Sequence, residues 1–173
     1  MNTFDAICAR HSTRSFQASQ IPDEALEKII FAGGQAAIGC ADFDSLKLIV
    51  VQNPELLAKI DSSASGGNPQ SHPLYGCPTL VVVIARENRL ANIELSNAGC
   101  IIQNMMVQAA DFGIDSVYLW MGMSGINRSE ELQKELQLPE GFKCVGTMAL
   151  GYAEKSFPKL RAAEQRIAVS YIR

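Results

Sequence analysis

Hydrophobic positions along this chain alternate between helical and strand periods. Phe4, Ile7 and Cys8 follow an i, i+3, i+4 pattern and predict a first helix from about Thr3 to Arg10. Ile21-Pro22-Asp23 sets a proline at a helix start, Leu26, Ile29 and Ile30 supply its buried face, and Gly33-Gly34 ends it. Leu46 to Gln52 reads as a strand, and Asn53-Pro54 opens a short helix through Ile60. Asp61 to Cys77, dense in serine, glycine and proline, predicts a long loop of the kind that often carries function. Thr79 to Ala85 is apolar and β-branched, as a strand buried on both faces should be.

From about Asn92 to Phe112 the helical pattern is apolar on nearly every side, through Ala98, Cys100, Ile101, Ile102, Met105 and Met106. Such a helix belongs in an interior. Gly113 stops it. Val117 to Met121 predicts a strand, Asn127 caps a helix through Leu136, and Lys143 to Tyr152 predicts the last strand. Ala153 to Arg173 is more polar and reads as an arm across the surface or onto a partner chain. One domain over residues 1–173 is expected, with 153–173 as its arm. Its architecture should be α+β, with the small residues and methionines of the central helix at a dimer interface.

Composition narrows the function. The 173 residues are 47% hydrophobic and 19% charged, enough apolar material for a full core. A net charge of −3 excludes a broad nucleic-acid surface, which needs clustered positive charge. Asp5, Arg10 and Arg14 interrupt any apolar N-terminal stretch, so no signal peptide is read, and a cytoplasmic protein is expected. Cys8, Cys40, Cys77, Cys100 and Cys144 form no Cys-x-x-Cys pair, and with only His11 and His72 as imidazoles no metal site is expected. The cysteines read as small hydrophobes.

No hydrolase elbow, phosphate loop or dinucleotide fingerprint is present. The acidic pairs Glu130-Glu131 and Asp23-Glu24 lie on amphipathic helices and read as solvated faces. The chain is therefore either a binding module or an enzyme whose chemistry belongs to a cofactor. Arg10-His11-Ser12-Thr13-Arg14-Ser15-Phe16 stands out in this acidic chain. In an extended stretch Arg10, Ser12 and Arg14 share one face, and forked guanidinium donors suit a phosphate or a planar polar ring edge. A solvated basic turn is the alternative. A second basic pair, Lys159 and Arg161, follows Phe157-Pro158.

Arg10-His11-Ser12-Thr13-Arg14-Ser15-Phe16 resembles the N-terminal signature Arg-x-Ser-x-Arg/Lys-x-Phe of the FMN-dependent nitroreductase family. Further segments resemble the family in the same order. They are Ile21-Pro22, the small-residue turn from Gly33 to Gly39, Pro78 before an apolar strand, Asn97 to Met105, Phe112 to Ser116, Leu150-Gly151-Tyr152, and Pro158-Lys159-x-Arg161.

The resemblance implies a nitroreductase-like α+β fold. A central, mostly antiparallel sheet is flanked by helices, and a buried central helix lies at a homodimer interface holding two FMN molecules. Arg10, Ser12, Lys159 and Arg161 would then hold the phosphate, with His11 and Arg14 near the ribityl chain and pyrimidine edge. Ala36, Ala37, Ile38 and Gly39 would lie against the partner's flavin, and backbone amides near Met121 and Gly122 would face flavin N5. NAD(P)H would supply hydride, and a small organic acceptor would collect the electrons. The family's Ala-Pro-Ser-x-x-Asn-x-Gln-Pro-Trp turn is replaced here by Ala36 to Ser45, without its proline, Asn/Gln pair or tryptophan. A flavin-binding protein with a sensing or storage role and a module for another phosphorylated small molecule are the remaining readings.

Overall fold

The computed structural model describes residues 1–87, 90–155 and 164–173. Helix α1, Thr3–Ala9, is capped by Asn2, whose side chain accepts from the Asp5 amide. Helix α2, Asp23–Gly34, follows Pro22, which needs no amide partner there. Strand β1 is Leu46–Val51, and α3 is Pro54–Ala64, capped by Asn53 with Pro54 in its first turn. Strand β2 is Thr79–Arg86, and the central helix α4 is Ile93–Asp111. Strand β3 is Asp115–Leu119, α5 is Trp120–Arg128, α6 is Glu130–Glu135 and β4 is Phe142–Gly151.

The four strands form one antiparallel sheet in the order β1-β2-β4-β3. Strand β2 divides its side chains strictly by parity. Leu80, Val82 and Ile84 pack towards α3, α5 and α6, whereas Val81, Val83 and Ala85 pack towards α2 and α4. Both faces are covered, which is why the strand reads as an unbroken apolar run. In β4 the register shifts opposite Val83 and Ile84, so the parity flips: Cys144 and Ala149 face one layer, Val145 and Met148 the other.

A strap, residues 12–20, crosses one end of this sheet. Ser12 bridges Ser116, the Phe16 amide donates to Tyr75 O, and the Gln17 amide donates to Tyr152 O. Gln20 Nε2 then donates to Pro78 O at 2.7 Å.

Several expectations need correction. Helix α3 runs to Ala64 rather than Ile60, because Leu57, Ile60 and Ala64 continue one buried stripe. Strand β3 ends at Leu119, so Met121 and Gly122 lie in a helix rather than at a strand end. Asn127 belongs to α5 and does not cap α6. Its side chain bridges the backbone N–H and C=O of Cys144, while Ser129 accepts from the Leu132 amide as the true cap. The first helix does not bury Phe4 and Ile7, and Ala6 is its buried residue.

Helix α4 is not sunk on all sides, since Cys100, Gln103 and Asn104 are exposed. Its methionines face inward, with Met105 Cγ only 2.8 Å from where a side chain on Gly33 would begin. Among the described residues no helix is long and apolar enough to cross a membrane.

Candidate functional site

The basic cluster leaves α1 and runs beside the outer edge of β3. The Arg10 amide closes the helix on Ala6 O at 3.0 Å, and the Thr13 amide donates to Ser116 O at 3.1 Å. Thr13 is fully buried, whereas Ser12 is half-buried and Arg14 exposed. The alternation read from the sequence therefore holds, with Thr13 as the inward anchor that turns its neighbours out. His11 takes the other direction. Its Nε2 lies 2.9 Å from Asp115 Oδ1 and its Nδ1 3.1 Å from Ala9 O. Asp115 Oδ2 in turn accepts from the Ala153 amide at 2.8 Å. Asp115 thus ties the cluster to the chain leaving β4, a role that the sequence reading missed although it had placed the residue in a family-like turn.

Ser15 donates to the Glu154 carboxylate, and the Glu154 amide donates to Ser15 O. The segment leading to Lys159 and Arg161 thus departs beside the cluster. Those two residues lie outside the described residues.

Helix α5 starts where β3 ends. No side chain caps it, and amides in a first turn lack intrahelical acceptors. Met121 and Gly122 occupy that turn. Thr147 Oγ1, fully buried, donates to Leu119 O at 2.6 Å and fixes the entry to the helix. A side chain on Gly122 would begin 2.5 Å from that oxygen, so only glycine lets α5 settle here.

The turn from Ala36 to Gly39 is held by α4. The Gly39 amide donates to Asn97 Oδ1 at 3.0 Å, and a side chain at Gly39 would begin 2.3 Å from Ile93 Cδ1. Ala36 is buried and Ala37 exposed, and the chain continues through Cys40 at φ 60° and Ala41 at φ 52°. Both are left-handed conformations that a β-carbon disfavours. The turn is thus tied to the start of α4, while Arg10 to Arg14 are tied to β3.

The donors along the β3 edge fit a phosphorylated, planar cofactor. A guanidinium, a hydroxyl and uncapped first-turn amides follow one another there, and two nearby carboxylates are already taken, Asp115 by His11 and the Ala153 amide and Glu154 by Ser15.

The chain matches the model of the nitroreductase family over residues 7–152. A relative from Methanothermobacter thermautotrophicus, whose name proposes an NADH dehydrogenase/NAD(P)H nitroreductase, is 27% identical over 162 residues, covering 88% of this chain and 78% of its own. Two solved structures share the fold end to end. A nitroreductase with bound FMN from Desulfitobacterium hafniense superposes with a TM-score of 0.87 at 25% identity, and one from Bacteroides fragilis with 0.87 at 22%, each covering 100% of both chains. The sequence match over most of the chain and this fold agree: the chain belongs to the nitroreductase family.

Proposed function

We propose that the chain is an FMN-dependent NAD(P)H oxidoreductase whose cofactor lies along the outer edge of β3. The observation that carries this reading is the docking of Arg10 to Arg14 onto β3 by Thr13, in line with the uncapped start of α5. Arg10 and Ser12 supply the phosphate donors, joined by Lys159 and Arg161, and Arg14 reads the ring edge. His11, fixed by Asp115, lines the ribityl side. The amides near Met121 and Gly122 would face the reactive edge of the ring, and Thr147, bonded to Leu119 O, fixes the entry to their helix. Bound there, FMN would supply hydride and electron transfer between NAD(P)H and a small organic acceptor.

The chain's own part is binding, orientation and electrostatics, which accounts for the lack of an acid–base set in the sequence. The turn from Ala36 to Gly39, held on α4 away from the cluster, suits contact with a flavin of the partner subunit. Homologues and structural neighbours named as nitroreductases, some with bound FMN, support the same assignment.

The test is an absorbance spectrum of the purified protein before and after anaerobic addition of NADH or NADPH. Flavin bands that bleach are expected, and a yellow protein that neither nucleotide bleaches would point to storage or sensing instead. Arg10→Ala should weaken FMN retention roughly ten- to hundredfold, from the loss of a charge-assisted contact worth about 1.5–3 kcal/mol. Retention at the parent level in equilibrium dialysis would remove Arg10 from the site.

A further inference from the structure

The loop between α3 and β2, which the sequence marks for function, stands behind the strap. The Phe16 amide, two residues past Arg14, donates to Tyr75 O at 3.2 Å. That carbonyl is aimed by two consecutive left-handed residues, Tyr75 at φ 56° and Gly76 at φ 70°. Glycine adopts this conformation freely but tyrosine does not, so the turn must be held by its surroundings. Within it the Tyr75 amide donates to His72 O at 2.9 Å, and the Cys77 amide to Leu74 O at 3.1 Å. Asp61, in the last turn of α3, ties the turn to the core. Its Oδ1 accepts from the Leu74 amide at 2.8 Å, and its Oδ2 lies 3.0 Å from His72 Nδ1. The end of a helix is where a carboxylate is least favoured, because the last carbonyls already carry partial negative charge. Helix stability therefore gives no reason for Asp61, and both its oxygens are spent on the loop. Beyond the turn, Phe16 is 5% exposed and packs over Gly151 at the end of β4.

We propose that Asp61 is a positioning residue for Arg14, acting through Leu74, Tyr75 and Phe16. Its carboxylate holds the strained turn, the turn presents Tyr75 O, and Tyr75 O fixes the strap just past the guanidinium. Arg10 and Ser12 lie on the far side of the Thr13 anchor, so Asp61 governs the contact to the ring edge and not those to the phosphate. The proposal rests on the reading above to the extent that Arg14 meets a flavin ring.

The test is equilibrium dialysis of the full chain against FMN and against riboflavin, which share the ring edge but not the phosphate. Asp61→Ala should weaken both by the same factor, roughly three- to tenfold, whereas Arg10→Ala should weaken FMN alone. In an Arg14→Ala background Asp61→Ala should have no further effect, since changes that act through one contact do not add. Asp61→Asn, whose oxygen can still accept from the Leu74 amide, should bind both flavins within about twofold of the parent. Hydrogen exchange reads the path without flavin. Asp61→Ala should speed exchange of the Phe16 amide about tenfold and leave the Thr13 amide, held by Ser116 O, at its parent rate. Gly76→Val, which cannot keep φ 70°, should reproduce this pattern and carries the test if Asp61→Ala does not fold. Four results would overturn the proposal: weakening confined to FMN, additivity with Arg14→Ala, Asp61→Asn as weak as Asp61→Ala, or a Phe16 amide that exchanges no faster than in the parent. A parent that binds neither flavin would count against the proposed function instead, and exchange at Phe16 would still decide whether Asp61 holds the strap.

Discussion

At the scale of single residues, the buried ionisable groups set the acid limit of the fold. Glu94 lies at the start of α4, 6% exposed, with Lys143 Nζ 3.0 Å from one carboxylate oxygen. Its own backbone amide and then Lys143 hold its carboxyl below the ordinary value of 4.5, against the opposing effect of burial. The folded value is thus the lower one, so the stabilisation is full above the ordinary carboxylate range and fades as pH falls through the depressed value. Lys143→Met leaves the buried carboxylate without its cation and should cost about 1–3 kcal/mol at pH 7. Urea midpoints of the parent and variant should converge once the pH has fallen through that depressed value, and a gap that persists in acid would mean that Lys143 acts through packing alone.

Cys77 and Cys144 show the opposite effect, burial pushing both thiols up to about 12. For these two the sequence reading of cysteines as small hydrophobes holds. For exposed Cys40 and Cys100 it does not, since each sits on a face that only the folded chain defines.

Among elements, glycine explains both the best and the worst of what could be read from the sequence. Gly33-Gly34 and Gly113 mark helix ends correctly, and the burial of β2 on both faces was evident in its unbroken apolar run. Helix α5 was missed because Gly122 and Gly125 look like breakers. They serve instead as close contacts, one on Thr147 and one on α3, where a side chain at Gly125 would begin 2.7 Å from the Ala64 backbone nitrogen. Backbone cannot give way as a flexible side chain can. Gly125→Ala should therefore destabilise the protein by about 1–3 kcal/mol in urea unfolding. Gly34→Ala, with open space around it, should be neutral or slightly stabilising. Equal effects at the two sites would refute the crowding argument.

The cluster Arg10 to Arg14 was legible because its chemistry is local. The loop anchored by Asp61, the orienting role of Asp115 and the lock at Thr147 were not, because each depends on a partner distant in sequence.

For the whole molecule, an apolar groove opens between α1, α2 and α4. Phe31 is 68% exposed there and Ile7 51%, beside the exposed Gln103 and Asn104 of α4. Exposed apolar side chains gathered on one face mark an interaction surface. We propose that a second copy of the chain meets this groove. Phe31→Arg should shift the sedimentation coefficient to that of a monomer and release FMN with it. A dimer of unchanged stability would place the interface elsewhere.

The strap bears on how the chain comes to be folded. It precedes the whole sheet in the chain, yet Ser12 waits for Ser116 and Phe16 for Ala153, each more than a hundred residues later. Contacts so distant along the chain close slowly, because the intervening loop must first be ordered. Until then the apolar strand β2 lacks its partner β4, and its end is uncovered. Newly made chains are therefore most prone to aggregate between the emergence of β2 and the arrival of β4.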